Sequence, residues 1–320
     1  KKISDFCVDT RPLFLYNQTK PNRFSLIYLG REGSLSSLYA RVSTVTKKEL
    51  YQYIKDNNIQ LLNYHFNSFF RYHVKKNKIQ VISHHFTNHK VEGLTIIDKY
   101  GISFSFEKDN PKVKQNFTLC HELGHFMLKH DGNYFTESID NQENLLEREA
   151  NIFSAVVLMP DIVLLSKIYY SCDTFHQVQN SLEVSKQALF YRLSDFLREH
   201  YSDNEGEVTQ AIESYIEGKN DSIFRLFHYI REKIIEEFNQ FQPSLINQVK
   251  QRVRKVGFIT SQEYPDLLNQ DNWKKIKESS ANLRIWLIYN KGKSIAYVWD
   301  KEKFSDKEAR KKAELQLLLM

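Results

Sequence analysis

Phe117-Thr118-Leu119-Cys120-His121-Glu122-Leu123-Gly124-His125 is the stretch that decides how this chain is read. Ahead of it, Asn110-Pro111 supplies an N-cap followed by proline at the first helical position, and behind it Asp131-Gly132 supplies a stop. The spacing predicts a helix of about 20 residues between them. Residues four apart in a helix differ by about 40° in direction, so His121 and His125 project together and can hold one tetrahedral zinc ion. Glu122 lies about 100° round and can reach a metal-activated water rather than the ion itself. Leu119, Leu123, Phe126 and Met127 make the helix apolar on its other side as well. A core helix that carries two histidines on one face needs a reason for burying them.

A catalytic zinc takes three protein ligands and keeps one position open. The third is sought downstream among Asp131, Glu137, Asp140, Glu143, Glu147 and Glu149. Asp131 has a metzincin-like spacing, but Leu128 stands where that motif requires glycine, so the sharp turn is not expected. The helical pattern from Asn144 to Leu158 gives another choice. With Glu149 set at 0°, Leu145, Ile152, Phe153, Val156 and Leu146 all fall within about 60° of it, while Glu147 falls near about 160°, on the wet side. A carboxylate centred on a buried face costs several kcal/mol unless it is paired or metal-bound. Glu149 is therefore the expected third ligand, and a buried ion pair with an arginine is the competing reading.

Upstream, Lys47 to Asn57 reads as a helix leading to a strand near Ile59–Tyr64, with further strands at 79–82, 94–97 and 102–106. Downstream, helices follow at 162–170 and from an N-capping Ser185 to about Arg198. The polar residues 201–206 mark a boundary. Beyond it come an amphipathic helix over Ile223–Phe241 and a hairpin, 283–289 with 294–299, joined by Asn290-Lys291-Gly292-Lys293. This predicts an α+β fold in three parts: an N-terminal segment (1–44), a metal-binding domain (45–204) with a helix-turn-helix-like end, and a C-terminal α/β accessory domain (205–320).

The composition is that of an ordinary globular chain: 320 residues, 41% hydrophobic, 26% charged, with a formal net charge of +6. Cys7, Cys120 and Cys172 are too few and too scattered for a disulfide framework or a cysteine-rich metal site. No run of 18 or more apolar residues occurs, and Lys1-Lys2-Ile3-Ser4-Asp5 leads into no signal-peptide core, so a cytoplasmic protein without a membrane partner is expected. Basic residues outnumber acidic ones by 17 to 9 over residues 1–110, most densely at Arg71–Lys78. That run suits either phosphates or water, and water is the commoner partner.

His121-Glu122-Leu123-Gly124-His125, followed by Glu147-Arg148-Glu149-Ala150-Asn151-Ile152-Phe153 and by Leu158-Met159-Pro160, resembles the ImmA/IrrE family of metallo-endopeptidases over about residues 45–200. The resemblance implies a zincin-like core of a small sheet and zinc helices, with zinc on His121, His125 and Glu149 and with Glu122 as the catalytic base. It also implies regulated cytoplasmic cleavage, in a bacterial setting, of a protein partner such as a helix-turn-helix repressor of a mobile element or stress regulon. Leu182–Leu193 resembles the small helical segment with which such proteins continue, and it also suits a helix-turn-helix in which Lys186, Gln187 and Arg192 reach a duplex. A zinc endopeptidase is the leading expectation. The alternatives are a nucleic-acid-binding regulator and a protein-binding sensor with a non-catalytic metal site. Glu122 argues against both, because a structural site needs no base. A substrate strand is expected to pair near Gly101–Phe106, and Tyr134 and His130 stand as unassigned candidates for the oxyanion donor.

Overall fold

The computed structural model describes residues 32–86, 91–132, 134–138, 144–201 and 205–319. Most of the segment set apart as 1–44 lies outside the described residues, as do His89, Lys90, Asp140 and Glu143 and the side chain of Glu137. The chain runs α1 (Glu32–Asp56), α2 (Phe66–Lys76), β1 (Gln80–His84), β2 (Val91–Asp98), β3 (Gly101–Glu107), α3 (Lys112–Met127), β4 (Tyr134–Ser138) and α4 (Leu145–Leu158). It continues through α5 (Asp161–Leu164, extended by a wider π-turn over Leu165–Tyr170), α6 (Phe175–Leu182), α7 (Lys186–His200), α8 (Glu205–Ile216) and α9 (Asp221–Gln240). The last part is α10 (Leu245–Val256), β5 (Phe258–Thr260), α11 (Asp271–Ser279), β6 (Leu283–Asn290), β7 (Lys293–Asp300) and α12 (Asp306–Leu319).

The first sheet has the order β1-β3-β2-β4, with β1 and β3 parallel and the other pairs antiparallel. Because β3 lies between β1 and β2, the expected substrate pairing at Gly101–Phe106 is corrected. From Ser103 to Phe106 β3 is paired on both sides, and β4 is the edge strand beside α3. The strand expected near Ile59–Tyr64 is a 3₁₀ turn over Leu61–Asn63. Leu62 is exposed there, and the anchor is the buried Tyr64 that follows, whose hydroxyl donates to the Val157 carbonyl. The basic run at 71–78 is the end of α2, whose Phe66, Phe69, Phe70 and His73 are buried at helical spacing. Lys75 and Lys76 fall in its last turn, where positive charge suits the exposed carbonyls.

One apolar cluster spans the expected boundaries at 44 and 205. It joins Val42, Leu50 and Ile54 of α1, Val156 of α4, Leu193 of α7, Ile212 of α8 and Phe227 of α9. Residues of α1, α8 and α9 thus pack in the same cluster as the helices of the metal centre. Packing changes after Phe241, where two separate apolar clusters line the second sheet, of order β5-β7-β6. Its hairpin turn is tight, with Lys291 and Gly292 both at positive φ, which matches the twist of the strands.

A buried ionic network fixes α1 against the rest. Lys47 Nζ lies 2.6 Å from Asp161 and 3.0 Å from Glu237, Arg192 pairs with Asp161, and Arg192 donates to the Tyr39 hydroxyl at 2.8 Å. Burial alone would raise the Asp161 pKa, yet Lys47 and Arg192 hold its carboxyl below the usual range. Arg192 is thereby buried and fully engaged, so the expectation that it reaches a duplex is corrected. Among the described residues, Leu145–Tyr170 is the one helical stretch long and apolar enough to cross a membrane, but 89% of its apolar window is buried inside the protein.

Candidate metal centre

The centre forms where α3 crosses α4. Asn144 caps α4, its Oδ1 accepting from Leu146 N–H at 3.0 Å, and Met159 ends it one residue before Pro160. Pro111 occupies the cap position of α3, which is buried from Asn116 to His125 and stops at Met127, short of the expected Asp131. The two helices touch at Gly124, where an added Cβ would lie 3.1 Å from Phe153 Cδ1 and 3.2 Å from Ala150 Cα. Only glycine permits so close an approach.

His121 Nε2 and His125 Nε2 face each other at 3.0 Å, and Glu147 Oε2 is 3.0 Å from His121 Nε2. Ligand atoms of His121, His125 and Glu147 all lie within 4.8 Å of one another, and all three residues are buried. Two imidazoles and one carboxylate converging in a dry site are the donor set of a catalytic zinc. Asn151 Oδ1 lies 2.9 Å from His121 Nδ1. A carboxamide oxygen only accepts, so Nδ1 carries the hydrogen and Nε2 keeps its lone pair for a metal. Burial, reinforced by the neighbouring His121 and His130, pushes the His125 pKa down to about 2, which keeps that ring neutral. The residues fit a metal ion.

Glu149, expected as the third ligand, lies outside this cluster, and Glu147 stands beside the histidines instead. The Glu149 carboxylate points away from the histidine pair, accepting from His130 Nε2 at 2.9 Å and pairing with Arg41 of α1. The arginine ion pair weighed as the alternative for Glu149 is present. The reason lies in the surroundings of α4, which is buried nearly all round by α3, α1 and α7. Its polar-looking face is therefore not wet but turned to the metal centre. Glu147 and Asn151, four apart on that face, bracket the His121 ring at Nε2 and Nδ1. That i, i+4 pair of polar residues was the available signal, and a wheel centred on apolar positions reads it as solvent-facing.

Glu122 is buried in the same helix as the two histidines, and the buried Thr95 hydroxyl of β2 donates to its Oε2 at 2.6 Å. Nothing in the spacing pointed to Thr95, which reaches Glu122 only through the sheet. His130 is turned toward His125, their Nδ1 atoms 2.8 Å apart, and does not stand as an oxyanion donor. Tyr134, on the edge strand β4, is 67% exposed, and its neighbour Phe135 stacks on His125 at 4.6 Å. A second His-Glu-Asp group sets the buried Glu107 beside the exposed His85 and Asp109. There Glu107 already accepts from the Phe86 and Asp109 N–H groups and organises a turn.

Comparison with known proteins agrees with this geometry. The family model of the IrrE N-terminal-like domain matches residues 74–194, which include α3, α4 and the clustered His121, His125 and Glu147. No curated protein matches the chain. Residues 74–194, with the centre they carry, belong to the ImmA/IrrE family of metallopeptidases.

Proposed function

We propose that this chain is a zinc-dependent endopeptidase that cleaves a regulatory protein, specifically a helix-turn-helix repressor of a mobile element or stress response, in a bacterial cytoplasm. The observation that carries the reading is the convergence of His121, His125 and Glu147 beside Glu122. A metal-binding module without catalysis has no use for a buried carboxylate one residue from a ligand. The core is read as zincin-like, with the second sheet as an accessory domain that receives partner or signal.

Zinc bound by His121, His125 and Glu147 would supply a Lewis acid that polarises the scissile carbonyl and acidifies water. The rest is done by the chain's own groups. Glu122, next to a ligand, takes the proton of the attacking water at a carboxylate oxygen and delivers it to the leaving amine nitrogen. Thr95 fixes the carboxylate rotamer through its hydrogen bond to Oε2. The outer edge of β4 offers backbone groups to an extended substrate, which would then run past His125.

A substrate trap tests this. Tagged Glu122→Gln protein, expressed in its host, should retain zinc and copurify with a DNA-binding repressor that the parent enzyme cleaves at one position. Cleavage by Glu122→Gln at the parent rate would remove the mechanism, and a captured partner left intact by parent enzyme would remove the repressor assignment.

A further inference from the structure

Outside the three ligand positions, Arg41, Glu149 and His130 form a line of polar contacts that ends on a ligand. Arg41, its side chain 59% exposed, pairs with Glu149 Oε1, and Glu149 Oε2 is 2.9 Å from His130 Nε2. His130 Nδ1 is 2.8 Å from His125 Nδ1. A carboxylate only accepts, so His130 Nε2 carries a hydrogen. In a neutral imidazole the other nitrogen is then the acceptor, so His125 Nδ1 must be the donor. The hydrogen on His125 is thus fixed at Nδ1, and its Nε2 lone pair is left facing His121 and Glu147. Such outer partners set ligand tautomer and ring angle, and their loss commonly costs about 10- to 100-fold in metal affinity.

We propose that His130, Glu149 and Arg41 are positioning residues that lock His125 in its metal-binding tautomer, with the final member supplied by α1. This rests on the reading of His121, His125 and Glu147 as the metal ligands and deepens it. Arg41 precedes the residues matched by the family model, so the centre is completed by a helix outside them. The buried Lys47–Asp161 and Tyr39–Arg192 contacts hold α1 where Arg41 reaches Glu149. The role also explains why α4 buries Glu149 in an otherwise apolar stripe, because its charge is shared between a guanidinium and an imidazole N–H.

The test uses the full chain, with zinc affinity measured by chelator competition and the visible spectrum measured after loading with cobalt(II). His130→Ala should weaken zinc binding about 10- to 100-fold and shift the cobalt bands. His130→Asn, whose Oδ1 can stand where Nδ1 stood and accept from His125, should recover most of the affinity. Glu149→Gln should weaken binding less than His130→Ala, and Arg41→Ala less again. Thermal unfolding of the metal-free proteins separates folding from ligand orientation, and the near-isosteric Glu149→Gln keeps the question open if His130→Ala does not fold. Zinc affinity within twofold of the parent in both His130→Ala and Glu149→Gln, or equal loss in His130→Asn and His130→Ala, would overturn the proposal. Zinc retained after His121→Ala and Glu147→Ala would instead overturn the ligand assignment beneath it.

Discussion

Glu147 and Glu149 stand two residues apart on α4 and serve different partners. Glu147 Oε2 is 3.0 Å from His121 Nε2, and Glu149 Oε2 is 2.9 Å from His130 Nε2. Two helical residues diverge by about 200°, so one carboxylate faces the α3 histidines and the other turns toward His130 and α1. Glu147→Ala is accordingly expected to weaken zinc binding by more than about 100-fold, beyond the loss attributed to an outer partner. Chelator competition on the two alanine variants ranks them, and a larger loss in Glu149→Ala would reverse the assignment.

Thr95→Val removes the hydroxyl that holds Glu122 while keeping the shape of the side chain. Zinc content should stay at the parent level, and kcat should fall about 10- to 100-fold, a part of what a general base contributes. Metal analysis with single-substrate kinetics checks this, and an unchanged kcat would leave Thr95 a packing residue.

Gly124→Ala places a methyl group 3.1 Å from Phe153 and 3.2 Å from the Ala150 backbone. The helices must separate to accommodate it, at a cost of about 1–3 kcal/mol. Urea unfolding should show a lower midpoint at an unchanged slope, accompanied by weaker metal binding as Glu147 withdraws from the histidines.

What the sequence made legible, and what it hid, follows from where the partners lie. His121, Glu122 and His125 belong to one helix, so spacing alone brought the two histidines to one face and set Glu122 about 100° round from His121. Ser185 was legible as an N-cap for the same local reason, its Oγ accepting from Ala188 N–H at 3.0 Å. The choice between Glu147 and Glu149 depends on which side of α4 meets α3, and this is set by Gly124 against Ala150 and Phe153, a tertiary contact. Thr95 and Arg41 come from elements far along the chain. The strand expected at 59–64 failed because Tyr64 and Phe66 are buried as anchors around a turn, a pattern that resembles strand alternation.

His73 should make the protein acid-sensitive. Burial, with Lys76 nearby, lowers its pKa to about 4 from an ordinary 6.5. Between those values the unfolded chain binds a proton that the native state does not. This contribution to stability is therefore complete above about pH 6.5 and is lost as pH falls toward 4, by up to about 3 kcal/mol. His73→Phe keeps the ring against Phe69, now 4.5 Å away, and removes the proton site. Its unfolding midpoint should fall less than the parent's between pH 7 and pH 4.5 (chosen to span the two pKa values), and a parallel fall would exclude His73 as the cause.

The Asp161 carboxylate sits between Lys47 and Arg192 with all three side chains buried. Asp161→Asn leaves the buried Arg192 without its carboxylate and Lys47 with Glu237 alone, at an expected cost of about 3–5 kcal/mol. Denaturant unfolding measures it. A loss below about 1 kcal/mol, the level of an exposed pair, would show that water enters the network.

Anomalous diffraction at the zinc edge from crystals of the zinc-loaded protein tests the central claim most directly. The account expects a single strong peak between α3 and α4, about 2.0–2.2 Å from His121 Nε2, His125 Nε2 and a Glu147 oxygen, with Glu149 still bonded to His130. A peak ligated by Glu149, or no peak at the histidine pair in zinc-saturated crystals, would contradict it.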